Sequence, residues 1–161
     1  MMPDAEIITV IDTILKTIDL GAKHTIKVNN RKLLDAMIQL SGAPASKFKP
    51  ICSAIDKLDK ETWEEVKLEL VQKKGISNEV CDKLEIFIKY RGQPLALLKQ
   101  IRDEKIFEGS EVGQVGLQEM EKLFEYLECL NSIQNVSFDL SLARGLEYYT
   151  GMIFEAVLEG A

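Results

Sequence analysis

The sequence predicts an α+β fold in which a helical stretch separates two flanks that carry strand signals. Three observations carry this. Residues 25–28 and 136–140 alternate apolar with polar, the period of a half-buried strand. Apolar residues recur at three- and four-residue spacing elsewhere, and from about 45 to 105 four short helical stripes follow one another with no strand signal. Charge divides the chain at the same places: residues 45–105 hold 13 Lys or Arg against 11 Asp or Glu, the remainder 7 against 15. We therefore read residues 1–44 and 106–161 as pieces of one sheet-containing domain, and 45–105 as a helical domain between them. The composition, 46% apolar and 29% charged, excludes a disordered tail, a collagen-like repeat and a disulfide-dense miniprotein. A net charge of -6 excludes a uniformly basic nucleic-acid binder and leaves room for a local basic face.

Pro3 and Asp4 open a helix whose Ile7, Ile11, Ile14, Leu15 and Ile18 make one apolar stripe, with Gly21 as its stop. Thr25-Ile26-Lys27-Val28 reads as a short strand. Asn29 or Asn30 caps the next helix, with Leu33, Leu34, Met37 and Ile38 inward, and Ser41-Gly42-Ala43-Pro44 ends it. The helical stretch carries Ile51, Ile55 and Leu58 first, then Trp63, Val66 and Leu70, stopping at Gly75 after Lys73 and Lys74. Ser77 caps a third helix with Val80, Leu84, Phe87 and Ile88 inward, Gly92 closes it, and Pro94 starts a fourth with Leu97, Leu98 and Ile101. A longer helix over 111–130 points Leu117, Met120, Leu123, Phe124, Leu127 and Leu130 to one side. Val136, Phe138 and Leu140 then mark a strand, a turn falls at Arg144-Gly145, and residues 149–158 form a second strand antiparallel to the first. Neither flank closes a sheet alone and the chain ends directly after a strand, so a piece of a longer protein is expected.

Most chemistry-bearing residues have an ordinary structural explanation. Cys52, Cys81 and Cys129 are widely spaced without a C-x-x-C, which points to buried reduced thiols in a cytoplasmic protein rather than to disulfides or zinc. The acidic start carries no signal-peptide pattern, and the apolar run from Ile7 to Leu15, broken by Asp12, is too short to span a bilayer, so no membrane partner is expected. His24, the only histidine, is expected at the surface or in a cap, and nucleophilic hydrolysis is rejected for want of a partner. Gly109, Gly113 and Gly116 follow no strand and lack the Gly-Lys-Ser/Thr ending of a phosphate loop, so they read as a flexible lead-in to the long helix. Glu61, Glu64 and Glu65 favour a helix dipole, and no metal site is expected. Lys47, Lys49, Lys57, Lys60, Lys67, Lys73 and Lys74 form a basic run. Composition favours a solvated face paired with interleaved acids, and a phosphate-contacting surface is the functional alternative.

The segment from Leu142 to Gly151 is harder to explain in this way. An Arg beside a Gly at a strand turn gives the Arg144 guanidinium room to reach into a cleft, and adjacent Tyr148 and Tyr149 place one ring on each face of the following strand. Pairing of Arg144 with Glu147 over buried tyrosines is the structural alternative. A planar cationic clamp beside a ring-shaped ligand is the functional one.

Leu140-Ser141-Leu142-Ala143-Arg144-Gly145-Leu146-Glu147-Tyr148-Tyr149-Thr150-Gly151 resembles the first histidine-specific motif of the histidyl-tRNA synthetases. Lys27-Val28-Asn29-Asn30-Arg31-Lys32-Leu33-Leu34-Asp35 and Phe48-Lys49-Pro50-Ile51-Cys52-Ser53-Ala54-Ile55-Asp56-Lys57-Leu58-Asp59-Lys60 resemble two further blocks of the eukaryotic-type enzymes, so the resemblance extends over nearly the whole chain. It implies a class II catalytic domain, an antiparallel sheet flanked by helices, interrupted by a helical insertion domain. That insertion falls on residues 45–105 and approaches the acceptor stem of tRNA(His), with lysines of the basic run as its phosphate contacts. Arg144 matches the arginine that contacts the α-phosphate of ATP and the histidine carboxylate. Tyr148 and Tyr149 match the tyrosine pair that binds histidine, Tyr149 lining the imidazole pocket. The resemblance further implies that ATP acts with Mg and that the complete enzyme is a homodimer. The chemistry is sound: a fixed guanidinium stabilises charge growing on the phosphate, and a neutral phenol packs on imidazole while hydrogen-bonding its nitrogen. Glu147 stands where the family usually has Asp. The three class motifs, the second histidine motif and the anticodon-binding domain are absent, so this segment alone is expected not to catalyse. A segment of a histidine–tRNA ligase is the reading, with a regulatory or tRNA-sensing paralogue as the alternative. The presence of Arg144, Gly145, Tyr148 and Tyr149 favours the ligase.

Overall fold

In a computed structural model describing residues 1–18, 20–144 and 148–160, the chain forms seven α-helices and four strands, the α+β class expected. The helices are α1 (Met2–Thr17), α2 (Arg31–Ser41), α3 (Phe48–Ile55), α4 (Trp63–Gln72), α5 (Asn78–Ile88), α6 (Pro94–Asp103) and α7 (Glu111–Cys129). The strands are β1 (His24–Asn30), β2 (Arg91–Gly92), β3 (Val136–Asp139) and β4 (Met152–Leu158), in the order β2-β3-β1-β4. Two 3-10 turns flank α3, Ala45–Lys47 before it and Asp56–Asp59 after it.

Two expectations about the sheet fail here. The last two strands are not neighbours, because β1 lies between them, parallel to β3 and antiparallel to β4. β4 pairs with β1 over all seven residues of each strand, from His24 against Leu158 to Asn30 against Met152, a longer ladder than four-residue β3 offers. The helices between β1 and β3 supply the crossover that a parallel pair needs. The sheet is therefore mixed, and β4 starts at Met152, so Tyr148 and Tyr149 precede it. The second departure is β2, inside the stretch that showed no strand signal. Two residues are too few for a period, yet Arg91 pairs with Asp139 and Gly92 with Phe138 at the sheet edge.

The period of two sorts the strand side chains onto two faces. Ile26 and Val28 are fully buried, His24 reaches Asp12 on α1, and Asn30 reaches Glu119 on α7. Phe138 meets Phe124 of α7 edge to face at 5.4 Å. This face is covered by helices. Thr25, Lys27 and Asn29 point the other way.

α1 is rotated from the stripe its sequence displays. Ala5, Ile8 and Asp12 are buried, while Ile7, Val10, Ile14 and Ile18 are exposed. Asp12 accounts for the rotation: it accepts from His24 Nε2 and Asn135 Nδ2, each at 2.8 Å, and pairs with Lys16 at 2.6 Å. His24 is thus no surface residue, its side chain being 9% exposed against this carboxylate. Burial pushes the Asp12 carboxyl up, but the hydrogen bonds from Lys16, Asn135 and His24 together outweigh it and hold it below its ordinary value.

The glycines at the start of α7 are packing residues, not a flexible lead-in. A Cβ at Gly113 would lie 3.0 Å from the Ala36 Cβ and from the Phe107 ring, and one at Gly116 3.0 Å from the Leu33 side chain. α2 and α7 approach closely only because both positions lack a side chain. The remaining helix starts follow local chemistry. Asn30 accepts from Lys32 N, Thr62 and Glu65 form a capping box, Ser77 accepts from Val80 N, and Ser110 accepts from Gly113 N. Cys52 and Cys81 are buried thiols, the first pushed up to about 12 by burial, whereas Cys129, at the end of α7, is exposed rather than buried as expected. The buried apolar residues from all three stretches form one continuous cluster. Among the described residues no helix is long and apolar enough to cross a membrane.

Gly113→Ala tests the close approach. Overpacking costs about 1–3 kcal/mol, set against about 1 kcal/mol of helix propensity gained. We expect a net loss of about 1 kcal/mol, read as a melting temperature lower by about 2–4 °C. A higher melting temperature would show that α2 yields.

Asp12→Asn tests the polar knot beneath α1. A carboxyl held below its ordinary value contributes stability that is present above the unfolded-state value near 3.8 and is lost as pH falls through the lower folded one. At pH 7 the variant should be less stable by about 1.5–3 kcal/mol, the scale of hydrogen bonds to a charged group. Denaturant titrations from pH 7 to 2.5 should show the gap closing only at the acid end. A gap independent of pH would assign the loss to shape rather than charge.

Candidate functional site

The sheet face turned away from α7 carries a polar row: Lys27 and Asn29 on β1, Ser137 and Asp139 on β3, and Glu155 on β4, opposite Lys27. The turn Asp56–Asp59 covers one end of this face, enclosing a small cleft lined by Lys27, Asp56, Asp59, Asp139 and Ser141.

Arg144 lies over this row. Its Nε donates to Asp56 Oδ1 at 3.1 Å and its Nη2 to Asp59 Oδ2 at 3.4 Å, while Nη1 pairs with Glu155 Oε1. Each guanidinium nitrogen therefore has its own carboxylate. Asp59 is shared, since Lys27 Nζ takes its other oxygen at 2.9 Å. The backbone leading to Arg144 is held as well. Buried Asn29 donates Nδ2 to the carbonyls of Leu140, at 3.2 Å, and Leu142, at 2.9 Å. Buried Asp139 accepts from Ser141 N at 2.9 Å and Ser141 Oγ at 2.6 Å. Asn29 Oδ1 and Glu155 Oε2 are buried and find no partner among the described residues. The alternative pairing of Arg144 with Glu147 falls on a residue outside the described ones, as do Gly145 and Leu146.

The two tyrosines lie elsewhere. Tyr149 meets Phe154 edge to face, with ring centroids 6.3 Å apart, and Tyr148 is 87% exposed. Both line a cleft of about 480 Å³ with Lys32, Glu119, Thr150 and Phe154. Phe154 and Glu155 are successive strand residues with side chains on opposite faces, so the arginine and the tyrosine rings are not gathered into a single clamp. The tyrosines share one cleft instead of straddling a strand, because β4 begins only after them. Within that cleft Glu119 accepts from Asn30 Nδ2 at 2.8 Å and pairs with Lys32. Burial pushes its carboxyl up, and the hydrogen bonds from Lys32 and Asn30 outweigh this and keep it ionised below the usual range. Aromatic rings beside a fixed carboxylate suit a small ligand that combines a ring with polar nitrogen.

The basic run divides. Lys57 and Lys74 both pair with Glu69, whose carboxyl the Lys57 hydrogen bond holds below its usual range, with Lys73 adding to the effect. Lys47 Nζ donates to the Lys74 carbonyl at 2.7 Å. Lys67 pairs with Asp82 on α5. Lys60 is exposed, and Lys49 lies with Arg31, Asp35 and Phe48 along a groove of about 1000 Å³. Four of the seven lysines thus gather round the C-terminal half of α4, interleaved with acid. No group of three or more His, Cys, Asp or Glu among the described residues is placed to hold a metal ion.

Sequence reasoning missed Asn29, Asp56, Asp59, Asp139, Glu119 and Glu155. Asn29 looked like a cap, and the Asp pair is hidden in the lysine-rich 48–60 block. Only the alternation of β3 and β4 hinted that Asp139 and Glu155 would share a face with Lys27.

A family model described as histidyl-tRNA synthetase matches residues 1–161. The cytoplasmic histidine–tRNA ligase of Dictyostelium discoideum is 48% identical over 160 residues, which is 99% of this chain and 33% of that one. The cytoplasmic histidine–tRNA ligase of Oryza sativa subsp. japonica is 50% identical over 161 residues, 99% of this chain and 20% of that one. The chain therefore spans a third or less of the length of these curated relatives, among which a mitochondrial ligase also occurs. The crystal structure of histidyl-tRNA synthetase from Nostoc sp. PCC 7120 superposes with a TM-score of 0.87 at 31% identity, covering 98% of this chain and 36% of that one.

Asn29→Ala probes how the 140–144 segment is held. It strips the donor from two buried carbonyls, a loss of about 1–3 kcal/mol. We expect faster amide hydrogen exchange at Leu140, Leu142 and Ala143 before any change in α4 or α5. Unchanged exchange would remove Asn29 from the site.

Proposed function

Since the chain belongs to the histidyl-tRNA synthetase family, we propose that it is a segment of a cytoplasmic class II histidine–tRNA ligase. The parent activates histidine with ATP and transfers it to tRNA(His). In the first step a histidine carboxylate oxygen attacks the α-phosphate of ATP, forming histidyl-adenylate and releasing pyrophosphate. In the second a hydroxyl of the terminal ribose of tRNA takes the histidyl group, releasing AMP.

The observation that carries this reading is Arg144 on the polar face of the sheet, with a separate carboxylate at each guanidinium nitrogen. A guanidinium has five N–H donors, and three carboxylate partners among the described residues leave two for an anion. A planar donor held this firmly stabilises the charge that develops on the phosphate oxygens. Tyr148 and Tyr149 line the histidine-binding cleft, where ring stacking and the phenol hydroxyl recognise imidazole. Residues 45–105 act as the insertion domain beside the acceptor stem, with the lysines around α4 as phosphate contacts. Their interleaved acids keep that contact weak. Mg²⁺ travels with ATP as part of the substrate, and none of these side chains is assigned to it. The parent acts as a homodimer.

The arginine and the tyrosines are tested separately, by pyrophosphate exchange in the full-length parent. Arg144→Ala should slow exchange about 10²–10³-fold with a histidine KM close to the parent's, because the guanidinium acts mainly on the transition state. Tyr149→Phe should instead raise the histidine KM more than it lowers kcat. Unchanged exchange in Arg144→Ala would overturn the assignment of Arg144.

A further inference from the structure

We propose that Asp56 and Asp59, on the turn after α3, are positioning residues for Arg144, so that the 45–105 stretch sets the aim of the guanidinium. This rests on the reading of Arg144 as the phosphate-contacting arginine.

An arginine side chain is long, and Arg144 is 45% exposed, so its own rotamers do not fix where the fork points. Glu155 holds one terminal nitrogen, and a single contact leaves the guanidinium plane free to turn about it. Asp56 on Nε at 3.1 Å and Asp59 on Nη2 at 3.4 Å remove that freedom, because three non-collinear contacts define a plane. Asp59 is itself held to the sheet, since its second oxygen accepts from Lys27 Nζ at 2.9 Å. Lys27 and Glu155 are register partners on β1 and β4. The circuit therefore runs from the central strand through Lys27 and Asp59 to Arg144, and back through Glu155. Its only members from outside the flanks are Asp56 and Asp59, which lie 88 and 85 residues from Arg144 in sequence.

Such half-exposed ion pairs contribute little to stability, so their value is in geometry. A shift of the turn that carries the two aspartates moves the guanidinium with it. Whatever loads or displaces the 45–105 stretch is thereby felt at the proposed adenylation site.

The test uses pyrophosphate exchange in the full-length parent, with Asp56→Asn, Asp59→Asn, the double Asn variant, Arg144→Ala, and the double Asn variant combined with Arg144→Ala. The Asn replacements keep shape and remove charge. We expect the double Asn variant to lose about 10- to 100-fold in kcat, the scale of a misaimed group, with histidine and ATP KM within about threefold of the parent. In the Arg144→Ala background the same two changes should cost less than about twofold, since there is no guanidinium left to aim. A merely structural role would give the full loss in both backgrounds, and that result overturns the proposal. So does a double Asn variant that keeps parental kcat, or exceeds it, while Arg144→Ala is slow. In that case the role of Arg144 stands and only the positioning fails. If Arg144→Ala itself exchanges at the parental rate, both readings fall together. A separate stability cycle on the 161-residue chain guards against misfolding. Melting temperatures of the Asn variants should lie within about 3 °C of the unsubstituted chain, and a larger drop in both single variants would overturn the proposal in favour of a structural role.

Discussion

The position of β1 between β3 and β4 is the constraint on which the rest of the molecule depends. It pairs on both edges, parallel to one neighbour and antiparallel to the other. Because successive strand residues face opposite ways, this pairing sends Ile26 and Val28 into the helix-covered core and Lys27 and Asn29 to the polar face. A slip of one residue would bury an ammonium and expose two β-branched side chains. The ends of the same strand anchor helices on the covered face: His24 holds Asp12 of α1, and Asn30 both caps α2 and reaches Glu119 on α7.

The polar face then acquires its character from groups remote in sequence. Lys27 brings in Asp59, Asp59 brings in Arg144, and Asn29 fixes the backbone from which Arg144 extends. The ion pairs among these contacts are worth little alone, since a half-exposed pair contributes about 0–1 kcal/mol, and only the buried Asn29 hydrogen bonds weigh more. The core beneath the opposite face carries the stability, which leaves the charged face free to serve chemistry. The tyrosine cleft beside Glu119 and Lys32 is built from the covered side, where α2 and α7 meet. That meeting requires the absence of side chains at Gly113 and Gly116. One close helix crossing thus sets both the depth of the core and the wall of the cleft.

Much of this was legible in the chain. The starts of α5, α6 and α7, the cap Ser77, the choice of Asn29 or Asn30 as a cap, the long α7 and the strand at 136–139 follow from rules that act within a few residues, whereas α1 ends at Thr17, short of Gly21, and α5 at Ile88, short of Gly92, which lies in β2. The motif around Arg144 was legible too, since its residue types are unusual together. α1 was misread because Asp12, a polar residue on the buried side, outweighs a stripe of isoleucines once His24 and Asn135 are brought to it. β2 was missed because two residues carry no period.

By itself the sequence determined the class of the fold, the four helices between residues 45 and 105, the family motif and the candidacy of Arg144, Tyr148 and Tyr149. Periodicity, caps and motif chemistry are written within a short span of chain. Only the tertiary structure decided that β1 separates β3 from β4, that α1 turns its isoleucines outward, and that Arg144 and Tyr149 stand on opposite sides of β4. It alone brought Asp56 and Asp59 to the guanidinium. Pairing between groups more than eighty residues apart depends on how the whole chain closes, and local patterns carry no record of that closure.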